Sequence, residues 1–252
     1  MPTRRYRRLQ LLALVLTGAA VLRGQEKVVP VYHEPHHRMV LESPSARILD
    51  VQVRPGQTSY FHTHDSPILY VQLSSSPLRV ETLGEDPPAR PAGRPAATPR
   101  QPPPGGSAEA PPRPGRVSST TSYVERPVTH RITNMGDGLF RLIAVLTRLP
   151  GGESTTPEAA GFTLTPEFAN RWYRAYRFSL APGDTTTSHR HTAPAVVVQV
   201  TAGRAAGAGA TRYELTEAGR WAYFEAGEDH ELANTGEAAV EFVEVEVRQA
   251  DR

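Results

Sequence analysis

The sequence predicts an all-β protein made of two tandem copies of one domain. Twenty-four Pro and twenty Gly accompany many Val, Thr and Tyr, a composition of short strands joined by turns. The last stretch, VEFVEVEVR from Val240, alternates Val243, Val245 and Val247 with Glu244 and Glu246, the period of two that a strand imposes. An internal repeat decides the number of domains, because 252 residues alone suit either one large β domain or two smaller ones.

The repeat has two blocks. Residues 55–73, PGQTSYFHTHDSPILYVQL, lie without gaps over residues 182–200, PGDTTTSHRHTAPAVVVQV, at an offset of 127 residues. His130, Asn134 and Gly136 lie over His230, Asn234 and Gly236 at an offset of 100. The 27-residue difference requires an insertion between the blocks of the first copy. Residues 84–114 supply it, with eleven Pro and almost nothing apolar. Such a segment buries too little to offset its ordering entropy, so a flexible, partly polyproline loop is expected rather than a lid. The expected organisation is a leader over 1–24, a first domain over 25–150, a linker over 151–165 and a second domain over 166–252. A helix is expected only around Pro157 to Phe168.

The leader assignment rests on an arginine cluster followed by an apolar run from Leu9 to about Leu22 and small residues at Gly18, Ala19 and Ala20. That order fits a secretory signal peptide, cleaved after Ala20 or nearer Gly24, better than a membrane anchor, for which the run is short. Thr3, Arg4 and Arg5 also resemble the start of a twin-arginine signal. A periplasmic or secreted protein with no stable membrane anchor is expected. Residues 1–24 hold five of the 28 basic residues and no acid, so 23 basic residues face 26 acidic ones in the remainder, a formal charge of −3. No basic stripe marks a nucleic-acid partner. The chain has no Cys, which excludes disulfides, thiolate metal sites and cysteine nucleophiles.

In each copy an apolar stretch (Arg47 to Val53; Tyr176 to Leu180) runs into a Pro-Gly turn, a histidine-bearing strand and a Val-rich strand. Alternate residues of a strand face one way, so His62 and His64 present two imidazoles on one face, as do His189 and His191. A barrel can bring a third histidine, His130 or His230, alongside each pair. Neutral imidazole is the commonest metal ligand, and three of them leave positions open for water, oxygen or substrate. The aligned strands also differ: Ala144 and Leu146 stand where Glu244 and Glu246 stand. This face of the first domain is expected to be covered by the second domain or by a second copy of the chain, as in a homodimer.

These motifs resemble those of the cupin superfamily. Its first motif is Gly, five residues, His-x-His, three or four residues, Glu, six residues, Gly. Gly56 and Gly183 stand five residues before His62 and His189. Its second motif is Gly, five residues, Pro-x-Gly, two residues, His, three residues, Asn. Gly219, Gly227, His230 and Asn234 match it, with Glu225 replacing the Pro; the first copy keeps His130 and Asn134, with Gly115 upstream. The resemblance implies two double-stranded β-helix (jelly-roll) barrels in tandem, a bicupin, similar to uncharacterised secreted bacterial cupins. The family's Glu is missing from both copies: its place falls on Ile68 or Leu69 and on Ala195 or Val196, with Gly203 favouring Leu69 and Val196. Both sites are therefore expected to be three-histidine sites, like those of the family's thiol dioxygenases. Without a carboxylate, the full charge of the ion strengthens it as a Lewis acid.

The cofactor expected is a divalent ion, iron or zinc first and manganese or nickel after. Either a dioxygenase-like or other metal-dependent enzyme acting on a small organic molecule, or a non-catalytic periplasmic binding or structural protein, fits these residues. No general base is nominated. If one site alone is filled, the second is expected, because its motif is more complete. His33, His36 and His37 read as a solvated amino-terminal arm before an accessory metal patch, and Glu34 and Glu42 are candidates for a barrel mouth. Gln72 and Gln199 are candidates to support the ligands. Trp172, Trp221 and Tyr223 read as core.

Overall fold

A computed structural model of the protein describes residues 26–85, 113–151, 164–208 and 212–248. The expected leader, the body of the Pro-rich insertion and most of the linker lie outside the described residues. The first half contains β1 (Val28–Pro30), β2 (His37–Glu42), β3 (Ala46–Val53), β4 (Phe61–His64), β5 (Ile68–Ser74), β6 (Leu78–Thr82), β7 (Arg116–Thr120), β8 (Val128–Asn134) and β9 (Phe140–Thr147). The second contains β10 (Phe168–Ala169), β11 (Tyr173–Leu180), β12 (Ala195–Gln199), β13 (Ala205–Ala208), β14 (Arg212–Leu215), β15 (Trp221–Phe224), β16 (Glu231–Asn234) and β17 (Val240–Val247). The all-β expectation holds: among the described residues, only the short 3-10 turns Val31–His33 and Ser122–Val124 are helical. The helix expected around Pro157 to Phe168 is not formed in its described part, where Phe168 opens β10. Residues 157–163 lie outside the described residues.

Each half folds as two sheets. In the first, β2-β3-β9-β5-β7 faces β1-β4-β8-β6; in the second, β10-β11-β17-β12-β15 faces β14-β13-β16. The repeated residues explain the shared turns. Gly56 and Gly183 adopt φ of +74° and +83°, a region open to glycine, and donate their N–H groups to the carbonyls of Asn134 and Asn234. The Asn134 amide donates to the Val53 and Gly138 carbonyls, and the Asn234 amide to those of Leu180 and Ala238. The repeated Asn thus ties the end of one strand to the turn after the third histidine.

The two five-stranded sheets pack back to back. Ile48, Leu69, Val71, Ile143 and Val145 of the first half join Tyr173, Val196, Val198, Val243, Val245 and Val247 of the second in one buried cluster. Trp172, Trp221 and Tyr223 pack at its margin, as expected of core aromatics. This corrects the expected face: the valine row of β17 meets the other domain, and Glu244 and Glu246 point into the barrel. Ala144 and Leu146 likewise belong to the interior of the first barrel, with Leu49, Val51 and Ile68. Both faces of β9 and β17 are buried, so alternation did not mark an outside.

Tyr173 fastens the interface. Its ring is fully buried, its hydroxyl lies 2.7 Å from the Pro67 carbonyl and 3.0 Å from that of Val145, and it accepts the Thr147 N–H at 3.0 Å. Tyr173→Phe removes this bridge while keeping the ring, and should lower unfolding stability by about 2–3 kcal/mol through unsatisfied buried backbone groups. Urea denaturation measures the change.

Candidate metal centres

The first centre is built across β4 and β8. His62 stands directly opposite His130 in their antiparallel register, and His64 follows on the same face. The three rings have centroids 4.7–5.1 Å apart. His62 Nδ1 lies 3.0 Å from the Tyr60 carbonyl, which can only accept, so Nδ1 carries hydrogen and Nε2 keeps its lone pair. That Nε2 is buried without a partner, as are both ring nitrogens of His64. Buried nitrogens left unbonded are costly, and one ring nitrogen from each of His62, His64 and His130 lies within 4.8 Å of the others, the arrangement a metal ion satisfies. Burial, with smaller contributions from neighbouring imidazoles, holds His62 down to about 4 and His64 to about 3; burial also lowers His130. The neutral form that ligates metal is therefore the form present at neutral pH.

The second centre adds a residue that the motifs did not supply. His189 and His230 are bridge partners, exchanging backbone hydrogen bonds of 3.0 and 2.9 Å, and His191 lies beside them. Glu244 Oε1 sits 2.8 Å from Nε2 of His191, 2.8 Å from that of His230 and 3.4 Å from that of His189. Ligands held at about 2.1 Å by one ion lie about 3 Å apart, so these spacings suit a shared ion. Nδ1 of His189 and of His230 faces the Thr187 and Glu228 carbonyls, which turns both Nε2 lone pairs toward the carboxylate. Two acceptors face each other at that range only with a cation or added protons between them. Burial opposes charge on both His189 and Glu244, and their hydrogen bonding and attraction outweigh it: His189 is raised and Glu244 lies well below the carboxylate range.

Beside the three expected histidines, the second barrel's cluster thus holds a carboxylate that the expectation of two three-histidine sites did not include. Val197 stands opposite Glu244 in the β12–β17 register, so the carboxylate comes from the strand beside the one that carries the family's Glu position. Of the candidates for that position, Leu69 and Val196 face the interdomain cluster. Ile68 faces the first barrel's interior, so the three-residue spacing is the one that points inward there. At the place of Glu244 the first barrel has Ala144, which lines a cavity of about 230 Å³ above its histidines. The wall is largely apolar, with Leu49, Val51, Leu78, Ile132, Phe140 and Leu142 among its residues.

His37 is the other correction. It lies on β2, opposite Val51, 4 % exposed, with its ring centroid 4.4 Å from that of His62. His33 is exposed and His36 half-buried, so only the first two behave as an arm would. Glu34 is buried behind His37 rather than at a mouth, accepting the N–H groups of His36 and Tyr60 at 2.7 and 3.2 Å. Glu42 pairs with Arg47 at the surface. Gln199 donates to the Thr201 and Gly203 carbonyls, fastening a turn rather than supporting a ligand. Gln72 lines the cavity while donating to the Ser74 and Arg141 carbonyls.

His189 should titrate in the opposite direction to His62 and His64 in metal-free protein. His62 and His64 have depressed pKa values, so the unfolded chain takes up protons below pH 6.5 that the folded one refuses. Stability falls from pH 6.5 toward 4, by on the order of 3 kcal/mol from His62 alone. His189 has a raised pKa, so its contribution is complete below 6.5 and is lost as pH rises through its folded value. Imidazole NMR titration should find His62 and His64 neutral at pH 5.5 and His189 still protonated at 6.5.

No family model matches the sequence, nor does any curated protein. Solved structures do resemble it. AerE from Microcystis aeruginosa is 10% identical and superposes with a TM-score of 0.53 over 81% of this chain and 88% of its own. Salicylate 1,2-dioxygenase from Pseudaminobacter salicylatoxidans is 11% identical, with a TM-score of 0.50 over 81% of this chain and 72% of its own. The chain has the bicupin fold. At such identity the likeness concerns fold alone. The bicupin's two barrels each hold a buried cluster able to take a metal ion, His62, His64 and His130 in one and His189, His191, His230 and Glu244 in the other.

Proposed function

We propose that the protein is an exported bicupin that binds a divalent ion, iron or zinc before manganese or nickel, in each barrel and transforms a small organic molecule in the first. The observation that carries this reading is the His62–His64–His130 cluster, whose unbonded buried nitrogens open on an apolar cavity of about 230 Å³. The ion would supply Lewis acidity and open coordination positions. The chain's own part is to hold three neutral imidazoles in place, with Nδ1 of His62 anchored on the Tyr60 carbonyl, and to exclude water around an apolar ligand.

An oxygen-dependent reaction of the kind named for the salicylate dioxygenase is the reaction class favoured, on the likeness of fold and the three-histidine set. In the second barrel Glu244 takes the place of open space, which favours the other reading there, that of a centre holding its ion without turnover. The leader sequence supports export. Metal analysis of protein prepared without chelator, followed by oxygen uptake by the iron-loaded form with thiols, diketones and phenols, tests the proposal. Uptake lost in His62→Ala and kept in Glu244→Gln supports it. Less than about a tenth of an equivalent of metal per chain, unaltered by His62→Ala or His189→Ala, would sink it.

A further inference from the structure

The first cavity contains a histidine that the cluster does not use. His37 lines it beside His62, is 4 % exposed, and neither ring nitrogen makes a hydrogen bond of good geometry, although the Val31 backbone approaches the ring. The carboxylate of Glu34 comes no closer than 3.8 Å, Oε2 to His37 Nε2, beyond hydrogen-bonding distance. Glu34 is itself held by two backbone N–H groups, so it stands as a fixed wall behind the imidazole. His37 is also outside the group whose ligand atoms all lie within 4.8 Å of one another, so it stands beside the cluster rather than in it. A buried imidazole with at least one nitrogen left without a well-formed bond calls for a partner that the described residues do not provide.

Resting on the metal-binding reading above, we propose that His37 anchors the ligand of the first barrel by hydrogen-bonding an oxygen of a molecule held at the His62–His64–His130 centre. Neutral imidazole offers one donor and one acceptor, which suits a hydroxyl or an enol beside a second oxygen. Among the described residues the cavity lining contains no Arg or Lys, so nothing there beyond the ion balances a polyanion. The chemical class is therefore a small, largely apolar phenol, catechol or enolisable diketone, neutral or singly charged. The same lining disfavours phosphorylated and polycarboxylate compounds.

The test uses the full chain loaded with Co(II) and titrated anaerobically with 4-nitrocatechol, followed by visible absorbance. His62→Ala assigns the signal, which must vanish if it arises in the first barrel. His37→Phe should retain the Co(II) content of the wild type and weaken 4-nitrocatechol by about tenfold or more, the worth of one buried hydrogen bond. His37→Gln, which keeps a donor and an acceptor, should recover most of that loss. Equal affinity in His37→Phe overturns the inference. Loss of Co(II) in His37→Phe overturns it too, by making His37 a metal ligand. If the wild type takes up no Co(II) in the first barrel, the proposed function itself fails, which is a different result.

Discussion

Glu244→Gln should empty the second barrel of metal while the first still fills. The carboxylate is fully buried, its Oε1 meets all three Nε2 atoms, and its charge is the one negative charge set among them. Replacing it with an amide keeps the volume and removes the anion, so affinity at that centre should fall by about 100-fold or more, at or beyond the upper end of what supporting residues cost. Equilibrium dialysis against Zn(II) should find one tight equivalent per chain in place of two. His62→Ala should remove the other equivalent, and the double variant both. If Glu244 served only a hydrogen-bond network, the substitution would lower stability equally with and without metal and leave the stoichiometry unchanged.

Ala144→Glu is the reverse experiment and has the larger consequence for function. Ala144 occupies the position of Glu244 and is fully buried in the cavity wall. A carboxylate there should give the first centre the composition of the second and fill the space that a ligand would use. With metal present the variant should fold, hold its ion more tightly and lose 4-nitrocatechol binding and any oxygen-dependent turnover. Without metal, the buried carboxylate can be offset only by taking a proton itself or by protonating His62 or His64, both held down by burial, and should destabilise the fold by about 3 kcal/mol or more. The signature is therefore a melting temperature that depends far more on added Zn(II) than that of the wild type. Retained ligand binding would show that the cavity is not where small molecules enter.

The all-β fold, the tandem repeat and the grouping of the six histidines were legible in the sequence because strand parity and the repeat act locally. His-x-His puts two imidazoles on one face, and the equivalent Asn and Gly mark equivalent turns. Glu244 was not legible as a candidate ligand, because Val-Glu alternation ordinarily means one dry and one wet face. Here the dry face meets another domain and the other face lines a barrel. The repeat did contain the signal: Glu244 aligned with Ala144 is a charge present in one barrel and absent from the other. His37 was hidden differently. In the sequence it is one of three histidines near Pro35, and only pairing of β2 with β3 carries it into the barrel while His33 stays outside. The expectation that the second site fills first rested on its fuller second motif; Glu244 supplies a separate physical reason for tighter binding there.

The chain is proposed to hold two metal centres of different composition, an open three-histidine centre and a three-histidine-one-carboxylate centre. A crystal structure of the zinc-loaded protein, with anomalous data at the zinc edge, tests it most directly. Two anomalous peaks are expected: one bound by His62, His64 and His130 and facing the cavity, the other bound by His189, His191, His230 and Glu244. A single peak, two peaks with the same ligand set, or Glu244 hydrogen-bonded to its histidines with no ion between them would contradict it.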